Sequence, residues 1–226
     1  MAVCRELIGV SLAFCLLSCS GEGGQGESEN EPLQMDVRIQ GAADQPEATV
    51  LVRFHPLETD SSRPVSLAGQ VLLDGKRLPA DSTAAGVFYE LRLPPEQLAG
   101  RHQLEVQRER GKLSAFFTFQ PFRSSGNWPE ALSLGGFSLP VAGLPDGARV
   151  LVALVDTSYN SEDLHFADTI RNAALRVQGT QMQGLRSGPA LLQLTSSRRH
   201  SLPEQAGIRG IIHTEYTFSR EVSLQQ

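Results

Sequence analysis

Cysteine is missing from nearly the whole chain: Cys4, Cys15 and Cys19 are the only three in 226 residues. Beyond residue 19, disulfides, cysteine nucleophiles and cysteine-ligated metals are therefore excluded. A basic excess is missing as well. The 20 Lys+Arg are outnumbered by 25 Asp+Glu, for a formal net charge of −5, so no nucleic-acid partner is expected. Aromatic residues are scarce, with one Trp, three Tyr and ten Phe. Long apolar runs are limited to Leu7–Leu17, itself interrupted by Gly9, Ser11 and Cys15. That run falls short of the roughly 20 residues a spanning helix needs, which excludes a multi-span membrane protein. Catalytic signatures are missing too. There is no HExxH, no G-x-S-x-G and no glycine-rich phosphate loop ahead of a helix. The five histidines, at 55, 102, 165, 200 and 213, have no metal-ligand spacing. The chain reads as non-catalytic.

What is present is ordinary for a folded protein, with 40% hydrophobic and 20% charged residues. At the N-terminus, Arg5 precedes the apolar run in the manner of a secretory signal over residues 1–18. The run ends in Leu16-Leu17-Ser18-Cys19, which resembles the lipobox of bacterial lipoproteins. The resemblance implies cleavage before Cys19, a diacylglycerol thioether on its sulfur and an acyl chain on its new amine. Two or more acyl chains give stable anchoring where one gives only marginal binding. Ser20 in the next position resembles outer-membrane sorting. The expected address is the cell envelope, lipid-anchored at the outer membrane on its periplasmic or surface face. Residues 20–31 carry four Gly and four Glu and no aliphatic or aromatic side chain. With the lipidated Cys19 they read as a self-repelling flexible tether, with a reach of roughly 40 Å. Residues 32–226 hold 19 basic and 20 acidic side chains, a net of −1, so most of the acidity sits in the tether.

From residue 32 the dominant period is two, the mark of half-buried antiparallel strands. Val37 and Ile39 alternate with Asp36, Arg38 and Gln40; Val50, Val52 and Phe54 alternate with Leu51, Arg53 and His55. Val87, Tyr89, Leu91 and Leu93 form one face, Leu104 and Val106 another, and Leu113, Ala115, Phe117 and Phe119 a third. Asp74-Gly75 and Glu109-Arg110-Gly111 predict hairpin turns. After a polar break at 123–130, further strands are expected near 131–139, 148–155, 172–178, 189–195 and 208–223. Ile208, Ile212, Thr214, Tyr216 and Phe218 share one phase of the last. Helical content should be confined to turns near 95–99 and 203–206.

One internal match points to duplication. Leu91-Arg92-Leu93 through Gln97-Leu98 to Gly100 aligns without gaps to Leu175-Arg176-Val177 through Gln181-Met182 to Gly184. Two units follow, 32–122 and 131–226, each with the size and strand count of a β-sandwich. The expected fold is all-β: two tandem Ig-like antiparallel sandwiches after a signal peptide and tether. In overall plan the chain resembles Gram-negative outer-membrane lipoproteins with tandem Ig-like domains. Such a plan implies an interaction or scaffold module with an envelope protein as partner. The alternative is a glycan- or calcium-binding accessory of a surface uptake system.

Candidate sites are few. Asp156, Ser158, Asn160 and Glu162 place oxygen side chains at alternate positions, as at the start of a calcium loop. The loop's glycine and its bidentate glutamate are both replaced, by Ser161 and Ala167. A polar interstrand turn is the plainer reading, and no other cofactor is expected beyond the covalent lipid. Trp128, between the units, is a candidate for sugar stacking or for an interface between the two modules. Arg198-Arg199-His200 forms a local cationic patch, read as a loop.

Overall fold

The computed structural model describes residues 31–57 and 63–226. The signal peptide, Cys19 and nearly all of the tether lie outside the described residues. In chain order the strands are β1 (Leu33–Ala42), β2 (Ala48–Pro56), β3 (Gln70–Leu73), β4 (Lys76–Arg77), β5 (Ala80–Thr83), β6 (Gly86–Leu93), β7 (Gly100–Arg108) and β8 (Gly111–Phe119). They continue as β9 (Arg123–Ser124), β10 (Ala131–Ser133), β11 (Gly136–Ala142), β12 (Arg149–Asp156), β13 (Leu164–Thr169), β14 (Ala174–Gln178), β15 (Gly188–Gln205) and β16 (Ile208–Gln225). One 3-10 turn, Gly179–Met182, is the only helical element among the described residues.

The phases read from the sequence hold. Leu33, Met35, Val37 and Ile39 of β1 face inward, as do Ala48, Val50, Val52 and Phe54 of β2. Burying every second side chain removes apolar surface from water, while the intervening polar residues stay solvated. In the first module β1-β2-β6-β5 packs against β4-β3-β7-β8. This is the A-B-E-D and C′-C-F-G order of an Ig-like sandwich. In the second, β14-β11-β9 faces β13-β12-β15-β16, with β10 pairing in parallel to β16. The protein is all-β, with two Ig-like sandwiches in tandem.

The internal match corresponds to equivalent structure. Leu98 and Met182 are both buried in the turn that follows the fifth strand of the Ig pattern, and Gly100 and Gly184 both take positive φ, 111° and 98°. The hairpin at Asp74-Gly75 also forms, with φ of 49° and 78°.

The C-terminal hairpin departs from expectation. The strand expected at 189–195 runs from Gly188 to Gln205, and the helical turn expected near 203–206 is a tight β-turn at Ala206-Gly207, with φ of 52° and 70°. Each arm has 18 residues, or about 60 Å at ordinary strand rise. That is far more than one sandwich can cover, so the distal half leaves the second module and joins the first. There β16 pairs in parallel with β1 over ten residues, from Leu33 opposite Ile208 to Ala42 opposite Thr217. The Leu33 N–H donates to the Gly207 carbonyl and the Ala43 N–H to that of Thr217, each at 2.9 Å. The polar break at 123–130 therefore does not separate the sheets, because the hairpin bridges it and one continuous apolar core runs through both modules. Tyr216 sits at the junction, edge-on to Phe119 at 5.8 Å and to Phe122 at 5.4 Å. Gly41, opposite Tyr216 in the ladder, leaves the space these rings fill.

Candidate functional site

The segment 156–163 closes around one carboxylate. Asp156 ends β12 and is buried. Its Oδ1 accepts from the Ser158 N–H at 2.8 Å and the Ser158 hydroxyl at 2.6 Å. Its Oδ2 accepts from the N–H groups of Asn160 at 3.0 Å and Ser161 at 2.7 Å, and from the Ser161 hydroxyl at 2.7 Å. The Asn160 amide donates to the Ser158 hydroxyl oxygen at 2.9 Å, and the Asp156 N–H donates to Asp163 Oδ1 at 3.2 Å. Hydroxyl donation from Ser158 and Ser161, reinforced by the backbone donors, outweighs burial and holds the Asp156 carboxyl well below the usual carboxylate range.

The oxygen spacing seen in the sequence thus has a local cause. Short polar side chains alternate because the turn folds onto Asp156, as Asp, Ser and Asn do wherever they bond nearby backbone. Both oxygens of Asp156 face hydrogen-bond donors. Glu162 is exposed and does not join them. Of the four candidate ligands, Asp156, Ser158 and Asn160 are brought together, and Glu162 is not. Among the described residues no group of three or more His, Cys, Asp or Glu could hold a metal ion. The chain then continues directly into β13 (Leu164–Thr169), the edge strand beside β12.

This closed turn displays an aromatic ring that the sequence reading passed over. Tyr159 lies at its tip, 93% exposed, with φ of 59°. The only signal was an aromatic residue between turn formers.

Trp128 is placed differently. It is only 3% exposed, its indole N–H donates to the Pro140 carbonyl at 2.6 Å, and its ring meets Phe218 at 4.8 Å. Both contacts lie on strands of the second sandwich, so its face is covered by protein. The cationic patch, expected in a loop, lies on the distal half of β15. Its Arg198 and His200 share the face turned toward β8, while Cys19 falls outside the described residues.

A further polar pair joins residues 28 apart. His102 Nδ1 lies 2.7 Å from Asp74 Oδ2, and its Nε2 lies 2.8 Å from the Leu98 carbonyl oxygen. Burial raises the Asp74 carboxyl, but the Gln103 N–H and His102 more than offset this, and the net shift is downward. The arrangement clamps the β3–β4 turn onto β7. The sequence shows the turn but not its distant partner.

No protein-family model matches the chain, and no curated protein does. Among solved structures it is similar to a tetra-tandem repeat from the extending region of a large adhesion protein, at 14% identity over 85% of this chain and 49% of that one, with a TM-score of 0.31. The chain thus spans about half the length of that structure. It is also similar to titin Ig tandem domains, at 12% identity over 84% of this chain and 95% of that one, with a TM-score of 0.24. The strand order, rather than these similarities, assigns the fold.

Proposed function

We propose that the chain is a membrane-anchored, non-catalytic lipoprotein, held at the cell envelope through Cys19, that serves as an interaction or scaffold module for an envelope protein. The observation that carries this reading is the β15–β16 hairpin. By adding β16 to the sheet of the first module, it joins two sandwiches through backbone hydrogen bonds and a common core. A module that presents surfaces to a partner benefits from such rigidity, because less conformational freedom is lost on binding. Residue 31 lies at the head of β1, where its carbonyl accepts from both terminal nitrogens of Arg108 at 3.2 Å. The tether thus enters the folded part at a fixed point, and Ser20 supports an outer-membrane address.

Cys19→Ser should move the protein from the membrane to the soluble fraction; continued membrane association would refute the anchor. In-cell crosslinking through a C-terminal tag, followed by mass spectrometry, should recover one stoichiometric envelope protein. Recovery of intact bait alone would refute the interaction role.

A glycan-binding accessory of an uptake system is the second reading. It rests on Tyr159, an exposed ring on a turn held shut by Asp156. Loss of glycan retention on Tyr159→Ala, in a chain recovering no protein partner, would favour it.

A further inference from the structure

Where the distal half of the hairpin passes the first module, two strand edges that are unpaired among the described residues face each other. Among the described residues β8 ends its sheet and pairs with β7 alone. Across from it, β12 pairs with β15 only from Ala190 to Thr195, and from 196 to 205 the β15 backbone pairs, among the described residues, with β16 alone. The two edges run in opposite directions. A depression of about 220 Å³ lies between Leu113–Phe116 and His200, Leu202 and Gln205. A second, of about 210 Å³, continues between Phe116–Thr118 and Arg198 and His200, floored by Ile212 and Thr214. Phe116 and His200 belong to both, so the two form one slot.

The β8 edge is available for pairing. The two-residue connection Glu109-Arg110 makes Arg108 and Gly111 a hydrogen-bonded pair. Alternation along an antiparallel ladder then turns the backbone N–H and C=O groups of Lys112, Ser114, Phe116 and Thr118 away from β7 and into the slot. Among the described residues a side chain meets them: the Ser114 N–H donates to Gln205 Oε1 at 3.4 Å, a long contact that a peptide carbonyl would improve upon.

The charge in the slot has one sign. Arg198 and His200 are exposed and stand two residues apart on one face of β15, roughly 6.6 Å from each other. Arg101 lies over the ring of Phe116 at 4.4 Å, and that ring is 48% exposed. Among the described residues neither depression is lined by an Asp or Glu. Glu215 enters only at the narrow far end beside Ser196 and Tyr216.

We propose that this slot docks an extended, acidic segment of a partner protein, paired as a strand to the β8 edge. Carboxylates at alternate positions of the segment meet Arg198 and His200, and the apolar side chains between them, on the opposite face, pack on Phe116. Backbone pairing gives such a site its affinity, and alternate side chains give it selectivity. The proposal rests on the reading of the chain as an interaction module and names the chemistry of its partner.

The test uses the full detergent-solubilised chain and a fluorescein-labelled octapeptide of alternating Glu and Val, followed by anisotropy. This peptide should bind at least tenfold more tightly than the same peptide with Lys for Glu. It should lose at least tenfold in affinity when its alternate backbone nitrogens are methylated, and as much against the double variant Arg198→Glu, His200→Glu. Both positions are exposed, so the variant should melt as the parent does. Equal binding of the Glu and Lys peptides, indifference to N-methylation, or full affinity in the double variant would each overturn the proposal. Tenfold tighter binding to a chain lacking residues 20–30 would identify the chain's own acidic segment as the occupant and overturn it too. In cells, a partner crosslinked equally by parent and double variant would refute the slot and leave the interaction role standing. Absence of any partner from both would refute the two together.

Discussion

Replacing Tyr216 by Ala should loosen both sandwiches at once. The side chain is 6% exposed and lies between β1 and the end of β8, with edge-on contacts to Phe119 and Phe122. Truncating a buried aromatic side chain to Ala costs about 3–5 kcal/mol, of which each edge-to-face pair accounts for ~0.5–1.5 kcal/mol. For a cooperative unit of this size, each kcal/mol lowers Tm by about 2–4 °C, so a fall of roughly 6–20 °C is expected.

The chain supplies its own reporter. Trp128 is the sole tryptophan and is buried on Phe218, so its fluorescence follows the second module. Amide hydrogen exchange in β2 and β6 follows the first. The two transitions should coincide in the parent and fall together in Tyr216→Ala. If only one midpoint moved, the two modules would be separate folding units and the junction argument would fail. Tyr216→Phe keeps the ring and serves as a pH control. Burial, and then the charges of Glu96 and Asp44, push the Tyr216 hydroxyl above its ordinary value of 10.0. Because the neutral phenol is the form the fold favours, its contribution is complete below pH 10 and lost as the pH rises through the folded-state value. The Phe variant should not show that alkaline loss.

Gly41→Ala should destabilise by about 1–3 kcal/mol through overpacking, read as a lower urea midpoint. A Cβ there would lie 3.0 Å from the Ala48 Cβ and 3.2 Å from each of the Phe119 and Tyr216 rings. A stabilised variant would show that the rings have room to retreat. Asp156→Asn should flatten the acid limb of the stability profile. The depressed carboxyl contributes stability that is present above its ordinary value of 3.8 and is lost as pH falls through the folded-state value. Urea midpoints between pH 2 and 7 that match in parent and variant would refute the role given to Asp156.

Strand phase was legible wherever one face of a strand packs on the core, because burial writes a period of two directly into the residues. It failed where a strand takes its place from a partner. Ser196-Ser197-Arg198-Arg199-His200-Ser201 has no apolar face of its own, yet it is held by β16 opposite Tyr216 through Ile211. A clue was available. Ile208, Ile212, Thr214 and Tyr216 extend β16 well beyond the length of an ordinary strand, and a strand that long needs an equally long neighbour. Trp128 was left with two readings for a related reason. Its neighbours in sequence are polar, and its burial comes from Pro140 and Phe218. The calcium-like spacing left two readings open because turn formers and calcium ligands are the same residue types. The slot could not be read at all, since its walls are some 80 residues apart in the chain.

The same hairpin bears on how the fold manages its exposed edges. Without β16, β1 would be an apolar edge strand at the foot of the tether, a template for pairing with a second copy. The hairpin covers that edge and replaces it with the distal half of β15, whose Arg198, Arg199 and His200 are exposed. Charges on an edge strand deter association by themselves, so these cations have an explanation that requires no partner. The two roles separate by sign. Deterrence needs charge of either kind, so Arg198→Glu with His200→Glu should leave the protein as soluble as the parent. Docking of an acidic strand needs positive charge and should be lost in the same variant. Unchanged solubility together with unchanged peptide affinity would assign these side chains to edge protection alone.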